Sequence, residues 1–204
     1  VPAGRALARA ERPAPPPLLT RALAPLYAAA VVYGTANGAF LSFAADHVVA
    51  SGGLVGLPDR AASAVIYLAY GICGLAGIAT GRIEARFGLA PLLVWIFAAF
   101  GASLLLVARA PGDWGPVLAA AGLHGAAVMQ ISATLSFWTL RLRPGDAARA
   151  FTAVLVGVAA GSVLGPLLAG ALAEAAGLGG GFLAIAAAPL GAALAFAALR
   201  PRAA

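Results

Sequence analysis

The side chains that could do chemistry in this chain stand alone within long apolar stretches. One stretch carries polar residues at a spacing of three or four, which places them on one face of a helix: Gln130, Thr134, Trp138 and Arg141. His124 precedes them, and about 1.5 Å per residue puts it roughly 16 Å from the outer end of the stretch. An ionisable group that deep in a membrane usually faces a cavity, so His124 is the first functional candidate. The alternative is a neutral histidine hydrogen-bonded to a neighbouring helix.

Two earlier stretches add hydroxyl, amide and carboxyl groups. Tyr33 and Asn37 are one helical turn apart, and Tyr67 and Tyr70 share a face of the next stretch. These four side chains, with Gln130, Thr134 and Trp138, are the candidates for lining a polar cavity between helices, although tyrosines also sit in interfacial belts. Asp46 is the candidate for proton coupling, but about 37 Å of helix separates it from the inner end, so solvation at the outer interface is the alternative.

Other kinds of site have little support in the sequence. There is one cysteine, Cys73, and there are two histidines, so no Cys/His cluster suggests a metal site. No phosphate-binding P-loop occurs, which argues against direct use of ATP. We therefore predict no metal, no cofactor and no catalytic residue.

The composition is that of a membrane protein. Charged residues make up 10% of the 204 residues, against about 25% in soluble domains, and the mean hydropathy is +0.96. Runs without Asp, Glu or Arg predict an all-α integral membrane protein with six transmembrane helices, each long enough to cross once. The predicted spans cover about 23–45, 61–81, 88–108, 115–140, 150–173 and 179–199.

The arginines predict how the chain is oriented. With the N-terminus inside, eleven arginines lie in cytoplasmic segments and two, Arg60 and Arg109, lie outside. This bias predicts that both termini are cytoplasmic, in a bacterial inner membrane. Residues 1–21 are expected to be a basic cytoplasmic linker and 201–204 a cytoplasmic tail. The first residue is Val, which indicates either a GTG start or a fragment, and the net charge of +6 follows the membrane pattern and not a nucleic-acid partner.

Two short segments, one in each half of the chain, have a similar spacing of glycines and acids. Each has glycines seven residues apart with an acid between them: Gly81, Glu84, Arg86 and Gly88 in the first, and Gly170, Glu174 and Gly177 in the second. The first is expected inside and the second outside, which predicts an inverted three-plus-three repeat.

A stripe of small residues precedes the second segment. Gly157, Gly161 and Gly165 recur every fourth residue, and Pro166 follows at once. Such a stripe lets a neighbouring helix approach closely, and the proline is expected to kink the helix.

Together these segments resemble the major facilitator superfamily of transporters. Gly81, Arg86 and Gly88 match three positions of its G-x-x-x-D-R-x-G-R-R loop motif, while Ala85 stands at the aspartate position. The glycine stripe with Pro166 is similar to its G-x-x-x-G-x-x-x-G-P motif. The resemblance implies the C-terminal half of such a transporter. It also implies alternating access to a small solute, and an N-terminal half fused upstream, encoded separately or supplied by a second copy.

Two other functions remain open at this point. The chain could be a truncated membrane protein that transports nothing. It could also be an intramembrane serine protease, for which Ser103 in Gly-Ala-Ser and His124 would be the nucleophile and base.

Overall fold

The computed structural model describes residues 17–198, so residues 1–16 and 199–204, with most of the predicted linker and the tail, lie outside it. Helices account for nearly all of the described chain. They are α1 (Ala24–Ala50), α2 (Asp59–Gly74), a short 3-10 helix (Leu75–Ala79), α3 (Thr80–Phe87), α4 (Leu89–Arg109), α5 (Trp114–Leu142) and α6 (Ala147–Ala198).

The prediction of six transmembrane helices is wrong. Within residues 17–198, five helices are long and apolar enough to cross a membrane: Ala24–Ala50, Asp59–Phe87, Leu89–Arg109, Trp114–Leu142 and Ala147–Ala198. The all-α class is correct, but the last two predicted spans lie in one 52-residue helical element, Ala147–Ala198, which bends at the non-helical Gly177. The inverted repeat that depended on six separate spans falls with them. The sequence reading took Glu174 as a break between helices. A single charge interrupts an apolar run without interrupting a helix.

The long helix α6 bends sharply at one residue. Gly177 has φ 70° and ψ 170°, a conformation that only glycine adopts readily. Beyond it the chain turns back, because the Cα of Gly181 faces the carbonyl group of Ala169. We call residues 147–176 the first arm of α6 and residues 178–198 the second arm.

Glycines set the distances between the helices. The first arm packs on α1, where a Cβ at Gly161 or Gly165 would collide with the backbone of Val31 or Thr35. The second arm packs on α4, with Leu190 filling the space above Gly101. Close approach of backbones at small residues is the usual basis of helix association in membranes, since lipid offers no hydrophobic driving force between helices.

The two ends of the bundle differ in charge. The end formed by the start of α1, α3 and the α5–α6 connection carries six arginines and two acids: Arg21, Arg82, Arg86, Arg141, Arg143, Arg149, Glu84 and Asp146. The opposite end carries two arginines and four acids in the described chain: Arg60, Arg109, Asp46, Asp59, Asp113 and Glu174. We call these the basic end and the acidic end. The two ends therefore differ in the way that the positive-inside rule associates with the two faces of a membrane.

Candidate functional site

Polar side chains from α1, α2 and α5 meet in the middle third of their spans. Tyr70 donates a hydrogen bond to Asn37 Oδ1 at 3.3 Å, and Tyr33 lies 3.4 Å from the hydroxyl of Ser132. The Ser132 proton goes to the carbonyl of Val128 at 2.8 Å, so Tyr33 is the donor to Ser132. We call Tyr33, Asn37, Tyr70 and Ser132 the tyrosine cluster.

Aromatic packing and the close approach of α2 to α5 fix the position of the cluster. The ring of Tyr33 stacks on Phe100 with centroids 5.7 Å apart, and Tyr70 stacks on Phe40 at 6.5 Å. On α5, Gly125 lies directly against the carbonyl of Tyr70, so α2 and α5 touch at this level. The hydroxyl groups therefore have defined positions.

A broad groove between α2 and α5 opens at the cluster. It has a volume of about 600 Å³, and Tyr70 and Ser132 line it together with apolar and small residues such as Gly74, Ile78 and Met129. Asn37 is half-buried, and its amide nitrogen has no hydrogen-bond partner among residues 17–198. No charged side chain lines the groove in the described chain. Such a surface suits a mostly apolar, uncharged solute with one or two hydrogen-bonding groups.

His124 does not line this groove. It is fully buried, and its ring stacks on Phe40 at 4.0 Å and meets Phe100 edge-on at 4.9 Å. Its Nδ1 is 2.6 Å from the hydroxyl of Ser103 on α4. Its Nε2 is buried without a hydrogen-bond partner within the described chain. This geometry favours the alternative given above, a histidine bonded to a neighbouring helix, over a residue facing a cavity.

The Ser103–His124 pair has the distance that a nucleophile and its base require. However, both side chains are completely buried, and the Ser103 hydroxyl also lies 3.0 Å from the carbonyl oxygen of Phe100. A reacting carbonyl group would need space beside Ser103, where Phe100 and His124 already pack. The pair is therefore placed to join α4 to α5 and not to attack a substrate.

The remaining predicted cavity residues of α5 face the neighbouring helices α4 and α6. Gln130 accepts a hydrogen bond from the Trp95 indole at 3.0 Å, and Thr134 is buried and bonds to the carbonyl of Gln130. Trp138 packs edge-on against Phe196 of the second arm. These contacts orient the face of Gln130, Thr134 and Trp138 toward α4 and α6, away from the groove.

Tyr67 and Asp46 lie toward the acidic end. Tyr67 donates to the carbonyl of Leu41 at 2.7 Å and so ties α2 to α1. Asp46 is exposed, and no hydrogen bond or ion pair involves it in the part of the chain that the structure describes. Within the described chain, neither side chain shares a hydrogen bond with the tyrosine cluster.

Glu84 makes a bidentate ion pair at the basic end. Its carboxylate accepts bonds of 2.6 and 2.8 Å from Arg141 at the end of α5. The Glu84 side chain is 10% exposed and that of Arg141 is 55% exposed. The pair fixes α3 against α5, and the planar guanidinium suits this two-point contact.

The other motif residues take varied positions. Gly88 has φ 85° at the junction of α3 and α4, and Gly177 forms the bend in α6. Gly81, Arg86 and Glu174 are exposed, and Arg86 lies over the ring of Phe87. Gly161 and Gly165 contact α1, Pro166 faces Gly38 of α1, Gly157 meets side chains there at ordinary distances, and Gly170 faces open space.

Sequence reasoning missed Ser132 as a member of the cluster. Ser132 lies next to the predicted stripe but on a different face of α5, so spacing alone pointed away from it. A signal was present in Ser132 and Ser136, which repeat at a spacing of four on that face.

No protein-family model matches the chain, and no curated protein matches it either. The resemblance to the major facilitator superfamily therefore stays a prediction based on the residues named above. What the described helices establish is a coarser class: an all-helical chain with five helices of the length and apolarity that a membrane protein requires.

Proposed function

We propose that this chain is part of a secondary transporter that moves a small, mostly apolar, uncharged solute across a membrane by alternating access. The observation that carries the proposal is the tyrosine cluster at the α2–α5 groove. It brings three of the predicted cavity residues, Tyr33, Asn37 and Tyr70, together with Ser132.

The cost of exposing polar groups to lipid supports a solute or partner at this groove. An unsatisfied amide or hydroxyl in an apolar medium costs roughly 2–7 kcal/mol. The Asn37 amide nitrogen lies in the middle of its span with no partner in the described chain. A solute group or water in a cavity would satisfy it, whereas acyl chains would not.

Packing at the edges of the bundle supports a partner. In the segment formed by α2 and α3, only 17% of the most apolar 18-residue stretch is buried within the bundle. The most apolar stretch of α6 is also 17% buried. α1 and α5 lie between these two segments, and 56% of the most apolar stretch of each is buried. The proposed partner is the N-terminal half of a major facilitator-type permease, whether fused upstream, encoded separately or supplied by a second copy.

The proposed location is the inner membrane of a bacterium with the basic end in the cytoplasm. Six arginines against two acids at that end, and four acids against two arginines at the other, support this orientation. We propose no enzymatic activity, because the Ser103–His124 pair is enclosed by aromatic rings.

Sided chemical labelling of a thiol at position 132 tests the proposal. In a Cys73→Ala background, Ser132→Cys places one thiol at the groove, and membranes of the organism that encodes the chain supply any partner. A membrane-impermeant maleimide is added to right-side-out or inverted vesicles. Alternating access predicts labelling from both sides, and saturating solute is expected to slow both rates.

Two matched thiols calibrate the sidedness. Ser63→Cys lies near the acidic end of α2, and Thr152→Cys lies near the basic end of α6, both exposed. Each is expected to react from one side only. The proposal is wrong if the thiol at 132 reacts from neither side, or from one side at a rate that no solute alters.

A further inference from the structure

A second groove lies on the outside of the bundle near the basic end, where α3 meets α4. It is lined by Ile83, Phe87, Pro91, Leu92 and Trp95 and has a volume of about 340 Å³. Phe87 and Trp95 are 59% and 48% exposed, which is high for such large apolar side chains. No side chain of the tyrosine cluster belongs to it, and the proposed transport does not use it.

Positive charge adjoins this groove without a matching acid among residues 17–198. The Arg86 guanidinium lies 5.4 Å from the centroid of the Phe87 ring, so it stands at the mouth of the groove. Arg82 is one turn earlier on the same face of α3, and both arginines are exposed. Glu84 is the acid on α3, and Arg141 already holds both of its oxygens.

The groove and the two arginines have the arrangement that an anionic phospholipid requires. Arg86 lies one residue before α3 ends at Phe87, Arg82 lies one turn earlier, and Gly88 then turns the chain into α4. With the basic end at a membrane surface, both guanidinium groups would lie at the level of the headgroups. Trp95 is six residues into α4, about 9 Å further toward the middle of the membrane. An acyl chain extending from a phosphate at Arg82 and Arg86 would therefore run along Phe87 and Pro91 to Trp95.

We propose that this groove binds one anionic phospholipid, with its phosphate on Arg82 and Arg86 and an acyl chain against Phe87 and Trp95. Guanidinium groups bind phosphate oxygens through charge-assisted hydrogen bonds. Each basic residue near an anionic surface favours binding by about fivefold, so the pair should prefer an anionic over a zwitterionic lipid by about 5- to 30-fold.

Fluorescence quenching at Trp95 tests the proposal. Trp114→Phe with Trp138→Phe leaves Trp95 as the one tryptophan of the chain, and its bond to Gln130 holds the ring at the groove. The protein is reconstituted in phosphatidylcholine vesicles that contain a small fraction of a lipid brominated in the upper half of its acyl chains. Brominated phosphatidylglycerol is expected to quench Trp95 at a several-fold lower mole fraction than brominated phosphatidylcholine.

Arginine variants separate a specific site from general attraction to an anionic surface. Arg82→Gln with Arg86→Gln is expected to bring the two quenching curves together while leaving the phosphatidylcholine curve unchanged, which also shows that the groove is still folded. Arg60→Gln with Arg109→Gln, at the acidic end, should leave the preference intact. Equal quenching by the two lipids in the unsubstituted protein would overturn the proposal. A preference that survives loss of Arg82 and Arg86 would overturn it as well.

Discussion

Substitution of the glycines in the first arm of α6 tests how closely this arm approaches α1. A Cβ at Gly161 would lie 2.8 Å from the backbone nitrogen of Thr35, and one at Gly165 would lie 2.9 Å from that of Ala39. Each would also come closer still to a carbonyl oxygen of α1. Real Cβ atoms do not approach a backbone so closely, so alanine at either position must push the two helices apart.

The expected size of the effect follows from two opposing contributions. Overpacking costs about 1–3 kcal/mol, and collision with rigid backbone places both sites in the upper part of that range, at about 2–3 kcal/mol. Replacing a helical glycine by alanine returns about 1 kcal/mol. The net loss is therefore about 1–2 kcal/mol for Gly161→Ala or Gly165→Ala. At about 2–4 °C per kcal/mol for a chain of this size, the unfolding temperature should fall by about 2–8 °C. The double variant should lose less than the sum, because one helix displacement relieves both contacts.

The same helix supplies matched controls. A Cβ at Gly157 would meet its nearest neighbours at 3.5 to 3.8 Å, and one at Gly170 would meet nothing within 4 Å. Gly157→Ala should leave the unfolding temperature nearly unchanged, and Gly170→Ala should leave it unchanged or raise it by up to about 4 °C. The assay is the fraction of monodisperse protein that survives heating in detergent, measured by size-exclusion chromatography. If all four variants unfold at the same temperature, the close α1–α6 contact is refuted.

Two further predictions concern polar side-chain pairs that join two helices. Arg141→Gln should destabilise the protein more than Glu84→Gln, because it leaves a nearly buried carboxylate without its partner. A double-mutant cycle of heat stability in detergent should give a coupling of about 0.5–1.5 kcal/mol, since solvent screens the half-exposed guanidinium; zero coupling would contradict the bidentate contact. Ser103→Ala should cost about 1–3 kcal/mol by leaving His124 Nδ1 unpaired, while a fluorophosphonate probe should leave Ser103 unlabelled in the native protein; a labelled Ser103 would show that the pair is an open nucleophile.

The sequence predicts helices in this chain well because the apolar runs are long and sharply bounded by charge. It fails where a helix continues through a charge. Glu174 marks a polar position near the acidic end of α6, and the bend lies three residues later at Gly177. Composition cannot show whether a turn breaks the helical element, since that depends on backbone angles at one glycine.

The sequence does not determine what each polar helix face packs against. Gln130, Thr134 and Trp138 do form one face of α5, but a spacing of four does not tell whether that face meets a cavity or a neighbouring helix. Trp95 and Phe196 lie far away in the chain and decide the matter through their contacts. Asn37 and Tyr70 meet because the faces of α1 and α2 that carry them point toward each other, and Tyr33 lies one turn before Asn37 on α1.

Alternating access is the central claim, and the reactivity of a thiol at position 132 from the two sides of the membrane tests it most directly. If access alternates, an impermeant maleimide reaches Ser132→Cys from both sides, and a transported solute slows both reactions. Ser63→Cys and Thr152→Cys should each react from a single side in the same membranes. A thiol at 132 that is closed to both sides, or open to one side whatever solute is present, would contradict the account.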